Sequence, residues 1–352
     1  MEILIKPVSD KCNLDCNYCF YKEIVSERKN QINANMTFHT VENIVKKAFE
    51  FNPNYINFGF QGGEPLLIGI EFYKKFIEKV NKYNKNNINI YYSIQTNGTL
   101  ITKLWGEFLK KYNFLVGISL DGDKEIHNFY RKTKDKNGSF EKVLKSIQIL
   151  KEYEIDFNIL TVITNKNASK GKEIYNFFKK NKFNYLQFIP CINSDKNNIN
   201  LSPNNYYKFL KNIFDAWYID ILNNKKISIR FFENILGTLI GYQITECGFN
   251  GKCIIQNVIE ADGRVYPCDF YTYDNNNIGN INEIDFYDIE KNGSEFLNEK
   301  DNRNCNTCKY KKICNNGCKK YRVKNKFIYC NTYKKFYDYS IEKFLKLIQK
   351  MS

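Results

Sequence analysis

Residues 11–21 read KCNLDCNYCFY. Cys12, Cys16 and Cys19 fall in the spacing Cys-x3-Cys-x2-Cys, just after ILIKP (3–7), an apolar run with the pattern of a strand. Closed metal sites usually take four ligands. Three thiolates on one loop can instead wrap one face of a cubane [4Fe–4S] cluster and leave the fourth iron open. An open position is what a catalytic metal needs. The competing reading is a structural zinc completed by a distant ligand. Only two histidines, His39 and His127, are there to help such a site.

Outward from this loop the pattern repeats. Strand-like runs follow at YINFGF (55–60), NIYYSIQT (89–96), FLVGISL (114–120), FNILTVIT (157–164) and YLQFIP (185–190). Helical periodicity fills the spaces near 40–51, 70–84, 101–112, 139–153 and 170–181. Six such βα units predict a parallel sheet, closed or partly closed into a barrel. Barrel chemistry sits at the C-terminal ends of strands. The candidate motifs fall there: the three-cysteine loop after the first strand, QGGEP after the second, QTNG after the third, SLDG after the fourth and PCI after the sixth.

After residue 200 the pattern changes. NNYYKFLKNIFDAWYIDILNN reads as one long helix, and the tail YKKFYDYSIEKFLKLIQK as a closing one. Between about 245 and 335 periodicity fades and cysteines crowd in, which predicts a segment organised by metal. The Asn-rich runs, such as SDKNNINL, read as loop tips.

Composition sets the class. The 352-residue chain is 43% hydrophobic and 16% aromatic, so it is globular and large enough for a substantial core. The formal charge of +15 would permit nucleic-acid binding, but the lysines read as scattered over predicted helix faces, as in VENIVKKAFE and FIEKVNKY, and not as gathered in one block. No nucleic-acid partner is expected. MEILIKPVSDK lacks the features of a signal peptide, and no run approaches a membrane span. The expected setting is cytoplasmic, without membrane attachment. Twelve cysteines in that reducing setting argue for metal ligation over disulfides.

The three-cysteine loop, with an aromatic before its third cysteine and QGGEP after the next strand, resembles the radical S-adenosylmethionine (SAM) enzymes. The resemblance implies a partial (β/α)6 TIM-like barrel at 1–200. It implies that SAM chelates the open iron and is cleaved to a 5′-deoxyadenosyl radical. By the same resemblance Gly63 lies against the methionine amino group, while Ser119 and Arg131 hold the ribose and carboxylate. Tyr18 and Ile192 would flank the adenine.

Two later patterns, Cys253-x9-Gly263-x4-Cys268 and Cys305-x2-Cys308-x5-Cys314-x3-Cys318 followed by Cys330, resemble the SPASM extension of some radical SAM enzymes. Zinc ribbons would leave the longer spacings unexplained. The resemblance implies a SPASM domain at 245–335 with two auxiliary [4Fe–4S] clusters. Cys247, Cys253, Cys268 and Cys318 would hold one, and Cys305, Cys308, Cys314 and Cys330 the other. Residues 201–244 would be a helical linker and 336–352 a C-terminal helix. Cys191 is left over, as a buried small hydrophobe.

From LIKP through FQGGEP, QTNGTL and HNFYRK to CGFNGKC and VYPCDFY, the chain is similar to the anaerobic sulfatase-maturating enzymes. That family oxidises a Cys or Ser of a sulfatase polypeptide to Cα-formylglycine without oxygen. The resemblance implies three [4Fe–4S] clusters and SAM as cofactors. Its implied partners are an unfolded or nascent sulfatase with a Cys/Ser-x-Pro-x-Arg motif and a flavodoxin- or ferredoxin-type electron donor. It implies Asp269 as the proton acceptor, with Tyr21 and Gln61 lining the substrate cavity. A monomer is expected. The rival product is a thioether or other crosslink on a small precursor peptide. Relatives of that kind often carry an N-terminal recognition domain, for which a first strand at residue 3 leaves no room.

Overall fold

The computed structural model describes residues 1–32, 34–192, 199–298 and 303–351. The Asn-rich residues 193–198, expected in a loop tip, lie outside the described residues. Along the chain, β1 (Glu2–Ile5) leads to α1 (Phe20–Glu27) and α2 (Phe38–Glu50). Then come β2 (Tyr55–Phe60), α3 (Ile70–Tyr83), β3 (Asn89–Thr96), α4 (Lys103–Lys111) and β4 (Phe114–Ser119). α5 (Lys124–Tyr130) and α6 (Phe140–Glu152) precede β5 (Phe157–Ile163), α7 (Gly171–Lys180), β6 (Tyr185–Pro190) and α8 (Pro203–Leu222). The alternation read from the sequence is present, within a residue or two at most ends.

The residues divide into two units. The first comprises Met1–Ser119, Asn128–Phe157 and Ile254–Asn298. Its strands β1, β2, β3 and β4 lie side by side in that order, all parallel. Parallel register brings their C-terminal ends, and the loops that leave them, to one edge. Helices cover the sheet through apolar stripes such as Phe72, Tyr73, Phe76, Ile77 and Val80 of α3. Phe60 packs on Tyr73 and Phe76 at ring distances of 4.9 and 5.1 Å. Burying each such ring contributes about 1.5–3 kcal/mol, which holds the strand ends in place. α2 starts where the Thr37 side chain accepts from the Thr40 N–H, a regular N-cap.

Three very short strands extend this sheet: β8 (Val258–Ile259), β9 (Arg264–Tyr266) and β10 (Gly279–Asn280). β8 pairs parallel with β1, Leu4 opposite Val258 and Ile5 opposite Ile259, and β9 and β10 follow antiparallel. A segment that reads as irregular thus lies directly beside the first strand.

The second unit comprises Leu120–His127, Asn158–Cys253 and Glu299–Ser352. Here β5 and β6 pair parallel, and β6 pairs with β7 (Ser228–Ile229). α8 packs on α13 (Cys330–Met351), with Phe214, Trp217, Phe336 and Phe344 buried between them and α9 (Arg230–Leu239). Ser202 caps α8 by accepting from Asn205 N–H, and Pro203 occupies its first turn. Among the described residues no helix is long and apolar enough to cross a membrane.

Candidate active site and cysteine clusters

The loop after β1 is pinned by its backbone. Asp15 N donates to Lys132 O at 2.7 Å, Leu14 bridges Thr133, and Asn17 N donates to Tyr130 O. Cys19 then stands at the N-terminal end of α1. Cys12 Sγ accepts from Leu14 N at 3.4 Å and lies 3.7 Å from Asn97 Nδ2, the Asn of QTNG. Burial, with the negative fields of Glu64 and Cys19, pushes the Cys12 thiol up to about 11. Cys12 and Cys19 thus feel each other electrostatically.

The two glycines after β2 serve this loop directly. Gly63 N donates to Ser9 O at 2.7 Å and Glu64 N to Lys11 O at 2.9 Å. A Cβ at Gly63 would overlap the Lys11 carbonyl oxygen and lie 2.6 Å from that of Asp10. Gly62 has φ +138° and would meet Ser9 O at 2.8 Å. The cysteine loop itself makes a close approach to both glycines, which a side chain at either would block. Gly63→Ala should therefore push the 9–12 segment away, destabilising the fold by about 1–3 kcal/mol and lowering iron retention in the first cluster. Thermal melting and iron analysis check this; an unshifted Tm with full iron would contradict it.

Glu64 is a strut below the same loops. It is fully buried and accepts from Leu66 N, Thr96 Oγ1 and Asn97 N at 2.8–3.0 Å. Burial raises its carboxyl to about 7, with the three hydrogen bonds opposing the shift. The strut holds Asn97, whose amide faces both Cys12 and Asn13.

Tyr18 and Arg131 are brought together. Both are buried, and the guanidinium lies 5.3 Å above the Tyr18 ring, which also packs on Tyr130 at 5.2 Å. Ser119 ends β4 and accepts from Gln95 Nε2 at 3.2 Å. Ile192 belongs to the second unit, half-buried after β6, beside Cys191, whose N–H donates to Ile163 O. Cys191 is buried, and burial pushes its thiol up to about 12, so it is a poor thiolate.

Asp269 follows Cys268 in a short turn. Its Oδ1 lies 2.6 Å from the Lys6 ammonium, and its Oδ2 accepts from Gln61 Nε2 at 2.6 Å. Lys6 is 1% exposed and sits 3.6 Å above the ring of Tyr21. The Tyr21 hydroxyl donates to Glu260, which also pairs with Arg28 at 2.7 Å. Burial works against the Glu260 carboxylate, but the Lys6 and Arg28 charges hold its pKa below the ordinary value. Burial and the Glu260 charge push the Tyr21 hydroxyl well above its usual range, which disqualifies it as a base. Two buried cations thus balance two carboxylates.

Lys6, Arg28 and Glu260 were not among the residues expected here. One signal was available: a lysine at the C-terminal end of an apolar barrel strand, in ILIKP.

The later cysteines group as follows. Cys305, Cys308, Cys314 and Cys330, all in the second unit, line one cavity of about 270 Å³. Burial first, then the fields of Cys330, Cys305 and Cys308, push the Cys314 thiol up to about 12. Among the described residues no three His, Cys, Asp or Glu are placed to hold a single metal ion. Four thiols around a cavity far larger than one ion suit a multi-iron cluster and not a mononuclear zinc. Cys247 and Cys318 also share the second unit, where the Cys247 charge raises the Cys318 thiol after burial. Cys253 belongs to that unit as well, and Cys268 to the first.

The Radical SAM superfamily profile matches residues 7–178, and the SPASM profile, an iron–sulfur cluster-binding domain, matches residues 247–315. Fold and site therefore define a radical SAM enzyme: a partial (β/α)6 TIM-like barrel with a cysteine-rich SPASM domain. A cysteine-type anaerobic sulfatase-maturating enzyme of Clostridium novyi is 43% identical, over 97% of this chain and 96% of its own. A serine-type enzyme of Bacteroides thetaiotaomicron is 31% identical, over 92% and 83%. The solved structure of native anSMEcpe with bound AdoMet and Cp18Cys peptide superposes with a TM-score of 0.93 and 39% identity, covering 99% of each chain. The chain belongs to the family of anaerobic sulfatase-maturating enzymes.

Proposed function

We propose that the protein oxidises a Cys or Ser side chain of a sulfatase polypeptide to Cα-formylglycine without oxygen, using SAM and three [4Fe–4S] clusters. One observation carries the chemistry: Asp269 is fixed through both carboxylate oxygens, at Lys6 and Gln61, beside Cys268. Cys12, Cys16 and Cys19 would hold the SAM-binding cluster, which with SAM supplies a 5′-deoxyadenosyl radical able to remove a substrate β-hydrogen. Arg131 offers a buried planar fork suited to the methionine carboxylate. Gly63, Ser119, Tyr18 and Ile192 complete the SAM pocket. The two auxiliary clusters fall to Cys247, Cys253, Cys268 and Cys318, and to Cys305, Cys308, Cys314 and Cys330.

Asp269 takes the thiol or hydroxyl proton of the substrate as its Cβ is oxidised. A base must be held within hydrogen-bond reach of that proton, and the two anchors restrict its rotation. Gln61 and Tyr21 line the substrate side. A thioaldehyde formed from Cys is then hydrolysed to the aldehyde. The reaction is placed in the cytoplasm, on a monomer that receives its priming electron from a flavodoxin- or ferredoxin-type protein. The identity to the cysteine-type relative exceeds that to the serine-type one, which favours Cys as the target. The direct test is the product formed on a Cys-x-Pro-x-Arg peptide.

Lys6 gives an earlier check. Lys6→Met removes one partner of a buried ion pair, a change that costs about 3–5 kcal/mol. Tm should fall, and formylglycine formed per 5′-deoxyadenosine should drop about 10-fold as Asp269 loses an anchor. Melting and single-turnover product analysis read both. A parental ratio would remove Lys6 from the account.

A further inference from the structure

We propose that Asn97 is a positioning residue that raises the reduction potential of the SAM-binding cluster, as a fixed side-chain donor to one of its thiolates. The inference rests on reading Cys12, Cys16 and Cys19 as ligands of that cluster.

Asn97 directly follows β3, in the QTNG stretch, 85 positions from Cys12. Its Nδ2 lies 3.7 Å from Cys12 Sγ, within the longer reach of a sulfur acceptor. The neighbours decide which end of the amide faces the sulfur. Asn97 Oδ1 accepts from Thr99 N at 2.9 Å and from Thr99 Oγ1 at 2.7 Å. A backbone N–H can only donate, so the amide oxygen stays on that side and the NH2 group faces the cysteine loop. Its two hydrogens have two takers there, Asn13 Oδ1 at 2.9 Å and Cys12 Sγ. Asn13 Nδ2 in turn donates to Thr99 Oγ1 at 2.8 Å, which closes a ring of polar groups. Glu64 Oε2 holds the Asn97 N–H at 2.8 Å. Asn97 is 7% exposed, so water scarcely competes for its donors. The Leu14 N–H, 3.4 Å from the same sulfur, is main chain and belongs to the cysteine loop itself. Asn97 is a donor that a different element supplies and a substitution can remove.

Priming the cluster adds one electron from the external reductant and makes or breaks no bond. The reduced cluster carries one more negative charge than the oxidised one. A donor fixed at a ligand sulfur therefore stabilises the reduced form more and raises the potential. Burial of the donor keeps this effect from being screened by water.

The test is a redox titration of reconstituted holoenzyme, read by the part of the reduced-cluster EPR signal that changes when SAM is added. Asn97→Leu keeps the size of the side chain and removes the donor. At the parental midpoint its ratio of reduced to oxidised cluster should fall about 10-fold, equivalent to about 59 mV for one electron. Asn97→Asp keeps acceptors for Thr99 and puts a carboxylate oxygen at the sulfur, so its fall should be at least as large. Asn13→Ala cuts the tether between Asn97 and the loop and leaves the donor at Cys12, so its midpoint should stay parental. Iron and sulfide are measured on each protein. An iron-loaded Asn97→Leu or Asn97→Asp protein with the parental midpoint would overturn the proposal. So would an Asn13→Ala midpoint shifted as far as that of Asn97→Leu, which would reduce the contact to a tether. Loss of this cluster's iron from both Asn97 variants would make the role of Asn97 purely structural and overturn it as well. A parental protein without a SAM-responsive cluster would overturn the underlying reading itself, and that is seen before any variant is made.

Discussion

Replacing Cys12, Cys16 and Cys19 together by Ala should reduce 5′-deoxyadenosine formation to background. The loop itself should persist, because its hydrogen bonds to Tyr130, Lys132, Gly63 and Glu64 are made by backbone atoms. The four thiols around the second-unit cavity are untouched by the change. The variant should therefore fold and lose one cluster's iron while the auxiliary iron stays. Chromatography of deoxyadenosine after anaerobic incubation with SAM and dithionite, next to an iron assay, reads both. Continued SAM cleavage by a triple variant lacking that iron would mean that the open-iron argument is wrong.

Asp269→Asn keeps the shape of the side chain and removes the proton acceptor. Gln61 and Lys6 lose their ionic partner, while the hydrogen bonds of Gly63, Glu64, Asp15 and Asn17 that hold the cysteine loop are made by backbone atoms. Hydrogen abstraction should survive, so deoxyadenosine still forms. Formylglycine should fall by about 100-fold or more, the usual scale for a lost general base. The ratio of the two products in a single turnover is the observable. A parental ratio at a parental rate would show that the base lies elsewhere. Loss of auxiliary iron would point instead to a structural role beside Cys268.

The alternation of strands and helices was legible because each strand from β1 to β6 is four to eight residues long and covering helices such as α3 show a clean apolar stripe. The cysteine loop was legible because its ligands are close in sequence. The ion-pair cluster around Asp269 was not. Glu260 is 239 positions from Tyr21 and 232 from Arg28, and it arrives through β8, a strand of two residues. No alternation can show in two residues. Only the pairing of Ile5 with Ile259, continued by Lys6 N donating to Ile259 O at 2.8 Å, sets Lys6 beside this turn. The reason for Gly63 was hidden in the same way: what crowds it is the backbone of a loop fifty residues earlier.

The central claim is the product. A synthetic peptide containing Cys-x-Pro-x-Arg, incubated without oxygen with reconstituted protein, SAM and dithionite, is analysed by mass spectrometry. The account predicts the mass loss of CH2–SH becoming CHO at the cysteine, and a hydrazide adduct at that residue. It predicts no change when SAM is omitted. A peptide that loses only two hydrogens, with cysteine sulfur joined to a second residue, would contradict it and make the protein a crosslinking maturase. An unaltered peptide alongside deoxyadenosine formation would contradict it equally.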